Sequence, residues 1–223
     1  MQNTQPKEKV VHDCALDVHS IWKTMQGEGP FAGWPATFIR LAGCNLDCPG
    51  CDTDYTSKRR LYSAREVLEL TRHHETPKRL VVFTGGEPCR QDLSEAIQLL
   101  LEDGYLVQLE TNGTIFRNLP LATVVICSPK TPVIHPDWQD RITAYKYVLR
   151  AGEIDEDGLP TSVLLNGLRP ARPHAKYRGP IYVQPLDEQD FAANYRNLIA
   201  CRDVCLEHGY ILCLQLHKIA ELP

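Results

Sequence analysis

Long apolar runs are missing from this 223-residue chain. None approaches the length needed to span a bilayer. The opening stretch, Met1 to Asp13, is polar where a secretory leader would be apolar. A cytoplasmic protein with no membrane partner is therefore expected. An excess of positive charge is missing as well: the formal net charge is −4, which gives no electrostatic footing for nucleic acid. Internal repeats and low-complexity linkers are absent, so a single domain over residues 1–223 is expected. A hydrophobic content of 43% with 23% charged residues is enough to bury a substantial core.

What the chain does carry is cysteine, nine in all. The odd count and the missing export signal argue for reduced thiols rather than a disulfide framework.

Short runs rich in Val, Ile, Leu, Tyr and Phe predict strands at Thr37–Leu41, Arg79–Phe83, Tyr105–Glu110, Thr123–Cys127, Ala144–Leu149, Ile181–Leu186 and Tyr210–Leu216. Helical spacing predicts helices at Ser63–His73, Asp92–Glu102 and Glu188–His208. Ser63 followed three residues later by Glu66 is a capping-box signature. Strands alternating with helices imply parallel β/α units. Six to seven mostly parallel strands fall short of a closed eight-fold barrel, so the expected α/β fold is a partial, open β/α barrel. In such folds the chemistry gathers at the carboxyl ends of the strands. Ala151–Gly179 lacks periodicity and is expected to be an irregular, lid-like loop.

Cys44, Cys48 and Cys51 form a Cys-x3-Cys-x2-Cys loop directly after the first of these strands. Three thiolates at this spacing can hold three irons of a four-iron, four-sulfur cluster and leave the fourth iron open to another ligand. A structural zinc site wants four closed ligands, usually as two knuckle pairs, and no second pair with that spacing is present. Thr84-Gly85-Gly86-Glu87-Pro88 closes the next strand. Its paired glycines let a ligand approach the backbone, and Glu87 offers a carboxylate to an ammonium group. Arg40 sits in an apolar strand, where an unpaired guanidinium is costly, so a substrate carboxylate or an acidic neighbour should face it. Glu110 could point inward with Gln108 or be solvated at its strand end. His217 is expected to share a strand face with Cys213 and Gln215. Cys201, Cys205 and Cys213 fit core packing better than an auxiliary cluster. Trp22, Trp34 and Trp138 are expected to be packing groups.

The cysteine loop after one strand and Gly-Gly-Glu-Pro after the next resemble the radical S-adenosylmethionine (SAM) superfamily. The resemblance implies its partial barrel and its cofactors, a 4Fe–4S cluster and SAM, which together generate a 5′-deoxyadenosyl radical. Met25-Gln26-Gly27-Glu28-Gly29-Pro30, Cys51-Asp52-Thr53, Glu110-Thr111-Asn112-Gly113, Ser128-Pro129-Lys130, Gln184-Pro185 and Gln215-Leu216-His217-Lys218 narrow it further. They are similar to the branch that converts 6-carboxy-5,6,7,8-tetrahydropterin to 7-carboxy-7-deazaguanine with loss of ammonia, in queuosine and related deazapurine biosynthesis.

That resemblance implies the roles of individual residues. Cys44, Cys48 and Cys51 would ligate the cluster, and Thr53 would ligate Mg²⁺. Gly86 and Glu87 would hold the SAM amine. Glu110, Ser128, Pro129 and Lys130, with Gln184, Pro185, Leu186 and Asp187, would contact the rest of SAM. Met25, Gln26, Gly27, Glu28, Arg40, Thr84 and His217 would line the pterin pocket. The free carboxylate of Pro223 is expected to reach back and accept hydrogen bonds from the guanidine-like edge of the pterin. No further catalytic side chain is assigned, because the cofactor carries the hard chemistry. The resemblance also implies a homodimer and a reductant such as flavodoxin or ferredoxin. The competing readings are a glycyl-radical-enzyme activase, which would need a protein partner, and a non-catalytic iron–sulfur or zinc module.

Overall fold

A computed structural model of the chain describes residues 15–49, 51, 53–163 and 167–222. Its strands are β1 (Leu16–Met25), β2 (Pro35–Leu41), β3 (Arg60–Tyr62), β4 (Leu80–Gly85), β5 (Leu106–Thr111), β6 (Val124–Cys127), β7 (Ala144–Leu149), β8 (Ile181–Pro185) and β9 (Ile211–Leu212). Its helices are α1 (Ala64–His73), α2 (Ser94–Glu102), α3 (Phe191–His208) and α4 (Leu216–Ile219). All nine strands join one sheet in the order β3-β1-β2-β4-β5-β6-β7-β8-β9. From β2 to β9 every pairing is parallel, whereas β1 pairs antiparallel with both β2 and β3. The two edges, β3 and β9, do not pair with each other, so the barrel is open as expected.

The parallel strands are near-continuous apolar runs because both of their faces are covered. Leu80, Val81, Val82 and Phe83 of β4 are all fully buried. Alternate residues face the helices: Ile39, Val81, Phe83, Val107, Leu109 and Val183 pack against Val67 of α1, Ile97 and Leu100 of α2, and Cys201 and Val204 of α3 in the main core. α1 begins at the expected capping box. Ser63 Oγ accepts from Glu66 N at 3.3 Å, and Glu66 Oε2 accepts from Ser63 N at 2.7 Å. α3 starts at Asp190, which caps Ala193 N at 2.7 Å, and stops at Gly209 in the left-handed conformation.

Three expectations change. The sheet gains β1 and β3, giving nine strands rather than six or seven. β1 has a bulge between Val18 and Ser20 that breaks its alternation, and β3 is three residues long, so neither carries a clear strand period. The strand expected at Tyr210–Leu216 is only β9, Ile211–Leu212, and Leu216 already opens α4. The described part of the irregular stretch before β8 lacks helices and strands, and it is fastened rather than poised as a lid. Tyr147 Oη donates to Ala171 O, Ala171 N to Thr131 O and Tyr210 Oη to Asp157 O, at 2.7–2.8 Å. Arg172 ties Asp155 and Asp157 together within it. The described cysteines are all free thiols, and no described helix is long and apolar enough to cross a membrane.

Candidate active site

The face of the sheet opposite the helices is apolar only at its margins, where Ala36, Leu80 and Val82 form one cluster and Ile126, Ala144, Tyr182 and Cys213 another. Between them lie polar side chains. Arg40 of β2 and Thr84 of β4 are register partners, with the Arg40 guanidinium 4.9 Å from the centre of the Trp22 ring. Further along come Gln108 and Glu110 of β5, Lys146 of β7 and Gln184 of β8.

Lys146 is the centre of this face. Its side chain is 8% exposed, and Nζ donates to Glu28 Oε2 at 2.5 Å and to Glu110 Oε2 at 2.9 Å. Burial opposes the ammonium charge, but Glu110 and Glu28 outweigh it and hold the Lys146 pKa above the ordinary lysine value. Burial likewise opposes the Glu28 carboxylate, yet Lys146, with help from His217 and Gln215, lowers its pKa to about 2. Gln184 and Gln215 donate to the other Glu28 oxygen at 3.2 and 3.3 Å. Gln108 and Gln26 donate to the other Glu110 oxygen at 2.6 and 3.4 Å. Sequence reasoning missed Lys146, and noticed Gln108 only as the neighbour of Glu110 on its strand face. The signal was available, since a lysine inside the strand Ala144–Leu149 raises the same question as Arg40.

The cysteine loop is braced from several elements. Gly43 donates to the Tyr55 carbonyl and accepts from Glu87 N, at 3.2 and 3.0 Å. Asn45 accepts from Asn112 Nδ2 at 3.1 Å and donates to Thr114 Oγ1 at 2.8 Å. A methyl group on Gly86 would overlap the Gly43 carbonyl and come within 2.7 Å of Cys44 Cβ, so only glycine lets the Gly-Gly-Glu turn lie against the loop. Among the described residues no three His, Cys, Asp or Glu side chains converge to hold a single metal ion. A cluster with three separate irons needs three spaced thiolates instead, which is what the loop offers. Burial pushes the Cys44 thiol up to about 11 and also raises Cys48. The residues present fit an iron–sulfur cluster.

Other expected residues fall into three groups. Ser128 and Lys130, joined by a 2.7 Å hydrogen bond, follow β6 at the carboxyl end of the sheet. Burial, then repulsion from Lys146, lowers the Lys130 pKa, with the Cys48 thiol acting in the opposite sense. Pro129 is buried beside them, and Thr53 is half-buried just after the cysteine loop. Glu87 lies directly after the glycine pair, beyond β4. It is 0% exposed and its carboxylate accepts from Cys89 N, Thr111 Oγ1 and Asn112 N at 2.7–2.9 Å, so its side chain braces β4 against β5. Burial raises its pKa. In the Gln184–Asp187 segment only Gln184 faces the polar cluster. Leu186 N bonds to Leu149 O beyond the half-buried Pro185, and exposed Asp187 holds Lys218 at 2.6 Å.

His217 does reach the site, but from α4 and not from a strand. Leu216 N donates to Gly27 O at 3.1 Å, and a side chain on Gly27 would overlap the His217 ring. Met25 ends β1, and Gln26 and Gly27 are buried at the turn that delivers Glu28. Cys213 accepts from Gly29 N at 3.2 Å, so it serves this junction rather than an auxiliary cluster. Pro223 lies outside the described residues.

A family model for the radical SAM superfamily matches residues 38–126, from β2 to β6. An open, mostly parallel barrel with a three-cysteine loop after its first parallel strand defines a radical SAM enzyme, with a 4Fe–4S cluster and SAM as cofactors. The 7-carboxy-7-deazaguanine synthase of Rhodospirillum rubrum is 40% identical over 93% of this chain and 93% of its own. That of Rickettsia prowazekii is 36% identical over 91% of this chain and 87% of its own. A solved structure, the crystal structure of QueE from Escherichia coli, shares the fold with a TM-score of 0.70 at 24% identity, covering 90% of this chain and 94% of that one. The chain belongs to the 7-carboxy-7-deazaguanine synthase family.

Proposed function

We propose that this enzyme converts 6-carboxy-5,6,7,8-tetrahydropterin to 7-carboxy-7-deazaguanine with loss of ammonia. The observation that carries this reading is the convergence of the Gln26–Glu28 turn and the Gln215–His217 segment on the polar face beside the cysteine loop. The cluster and SAM, when bound, supply the one-electron chemistry that starts the rearrangement. The protein's own residues bind, orient and exclude water. Arg40, flanked by Thr84, offers a planar fork to the pterin carboxylate. Glu28, ionised, accepts from the amidine-like edge of the ring, and His217 with Met25–Gly27 closes that side. Gly86 and Glu87, directly after β4, are the proposed site for the SAM amine. Glu110, Ser128 and Lys130 face the remainder of SAM.

Thr53 is the proposed Mg²⁺ ligand, a hard oxygen suited to that ion. Pro223 remains a proposed contact for the pterin edge. We read the chain as one cytoplasmic domain that works as a homodimer and takes its electron from a small protein such as flavodoxin or ferredoxin. Anaerobic incubation of the reconstituted, reduced protein with SAM and the carboxytetrahydropterin tests the activity. A deazapurine product with SAM regenerated is expected; no product while the cluster stays intact would overturn the reading.

A further inference from the structure

Two features of the polar face go unused by the proposed reaction: a lysine that touches two carboxylates, and a matched pair of glutamine clasps. Each carboxylate gives one oxygen to Lys146. Each then has its other oxygen held by two glutamine amides, Gln184 and Gln215 on Glu28, Gln108 and Gln26 on Glu110. The two halves come from five places in the chain: the turn after β1, β5, β7, β8 and the segment before α4. Glu28 belongs to the proposed pterin side and Glu110 to the proposed SAM side; Gln26 and Gln184 also cross between the two, but Lys146 is the charged group that touches both carboxylates.

We propose that Lys146 is a positioning residue that bridges the Glu28 and Glu110 carboxylates and holds them at one fixed spacing, so that pterin and SAM are presented to each other in register. The proposal rests on the functional reading above for the identities of the two ligands. Its physical content does not. One ammonium between two carboxylates leaves a net negative charge on a buried face, which suits a donor edge or a cationic ligand. Without the ammonium, two like charges would share one buried site, and one would retain a proton. The charged and titratable neighbours do not substitute for it. Lys130, after β6, is repelled by Lys146; Cys213, after β9, is held as a thiol by burial; and His217, on α4, acts on Glu28 but makes no hydrogen bond to either carboxylate among those described. An ordinary structural ion pair could be exchanged for apolar side chains with little effect on chemistry. This arrangement could not, because the carboxylates it orders are themselves the groups offered to ligands.

The test compares cluster-loaded wild-type protein with Lys146→Met and Lys146→Arg, each labelled with carbon-13 glutamate. In Lys146→Met a protonated carboxylic-acid band should appear in the infrared spectrum at neutral pH. The pterin KM should rise about tenfold to a hundredfold, and the acid limb of kcat/KM should move up by about two pH units. Lys146→Arg should remove the acid band and recover most of the limb. A Lys146→Met protein with no acid band and a wild-type acid limb would overturn the proposal. If Lys146→Met does not fold, the difference spectrum between wild type and Glu28→Gln decides. It should show Glu28 ionised near pH 4, and a protonated Glu28 there would overturn the proposal. The infrared outcomes do not depend on turnover. Wild-type protein that makes no deazapurine would therefore refute the functional reading, while the spectra alone would still decide the role of Lys146.

Discussion

Glu28 is half-buried, and it is ionised because the buried Lys146 lies against it. Its folded pKa, about 2, lies below the ordinary value of 4.5. The stability this contributes is fully present above that ordinary value and is lost as the pH falls from there toward 2. Urea unfolding of wild type and Glu28→Gln across this range should show a stability difference that narrows with acid, and a constant difference would contradict the assignment. Arg40 gives a second prediction at this scale. Arg40→Lys keeps the charge and loses the fork, so the pterin KM should rise by about tenfold or more while kcat changes less, in line with the roughly 1.5–3 kcal/mol of a hydrogen bond to a charged group. An unchanged KM would remove Arg40 from the substrate site. The half-buried Arg40 and the buried Lys146 also show where the sequence is legible. Arg40 stands out because its neighbours Ile39 and Leu41 are plainly core. Lys146 does not, because Tyr145-Lys146-Tyr147 reads as a half-exposed strand with its lysine in water. Both tyrosines are buried, and the face that alternation assigns to solvent lines the site.

At the scale of elements, the parallel strands and the three longer helices are readable because burial on both faces of a strand and on one face of a helix leaves distinct patterns. The edges are not. β3 is too short to show a period, and β9 holds two residues, so their pairing depends on neighbours that come from elsewhere in the chain. Turns are legible as glycine pairs, but what they touch is not. Gly86 illustrates this: its sequence context shows a turn at a strand end, whereas the structure shows the turn pressed on Gly43 and Cys44. Gly86→Ala should therefore act on the cysteine loop rather than on its own strand. The expected result is a protein with near-native circular dichroism that loads much less iron on reconstitution and shows weak charge-transfer absorbance. Full iron loading by Gly86→Ala would mean that the loop can move away without consequence.

At the scale of the molecule, the site is made by joining the two ends of the described chain. The turn after β1 and the segment entering α4 lie almost two hundred residues apart in sequence, and they meet through Gln215 on Glu28, Leu216 on Gly27 and His217 over the same glycine. The motifs were visible in the sequence; their meeting was not, since local pattern carries no information on contacts between distant segments. The join serves the site more than the fold. α4 buries no residue, whereas β1, β8 and Cys213 beneath it are anchored in the sheet and its core. A chain ending after Leu214 should therefore melt close to the intact protein, because little apolar area is lost with the segment. It should load its cluster and bind SAM, since the cysteine loop and the Gly-Gly-Glu turn are untouched. Its pterin KM should rise at least about tenfold, because Glu28 loses the Gln215 clasp and the wall formed by His217. Equal loss of cluster, SAM and pterin binding would instead mark the segment as part of the folding core. A wild-type pterin KM would show that the two ends meet without forming the pocket.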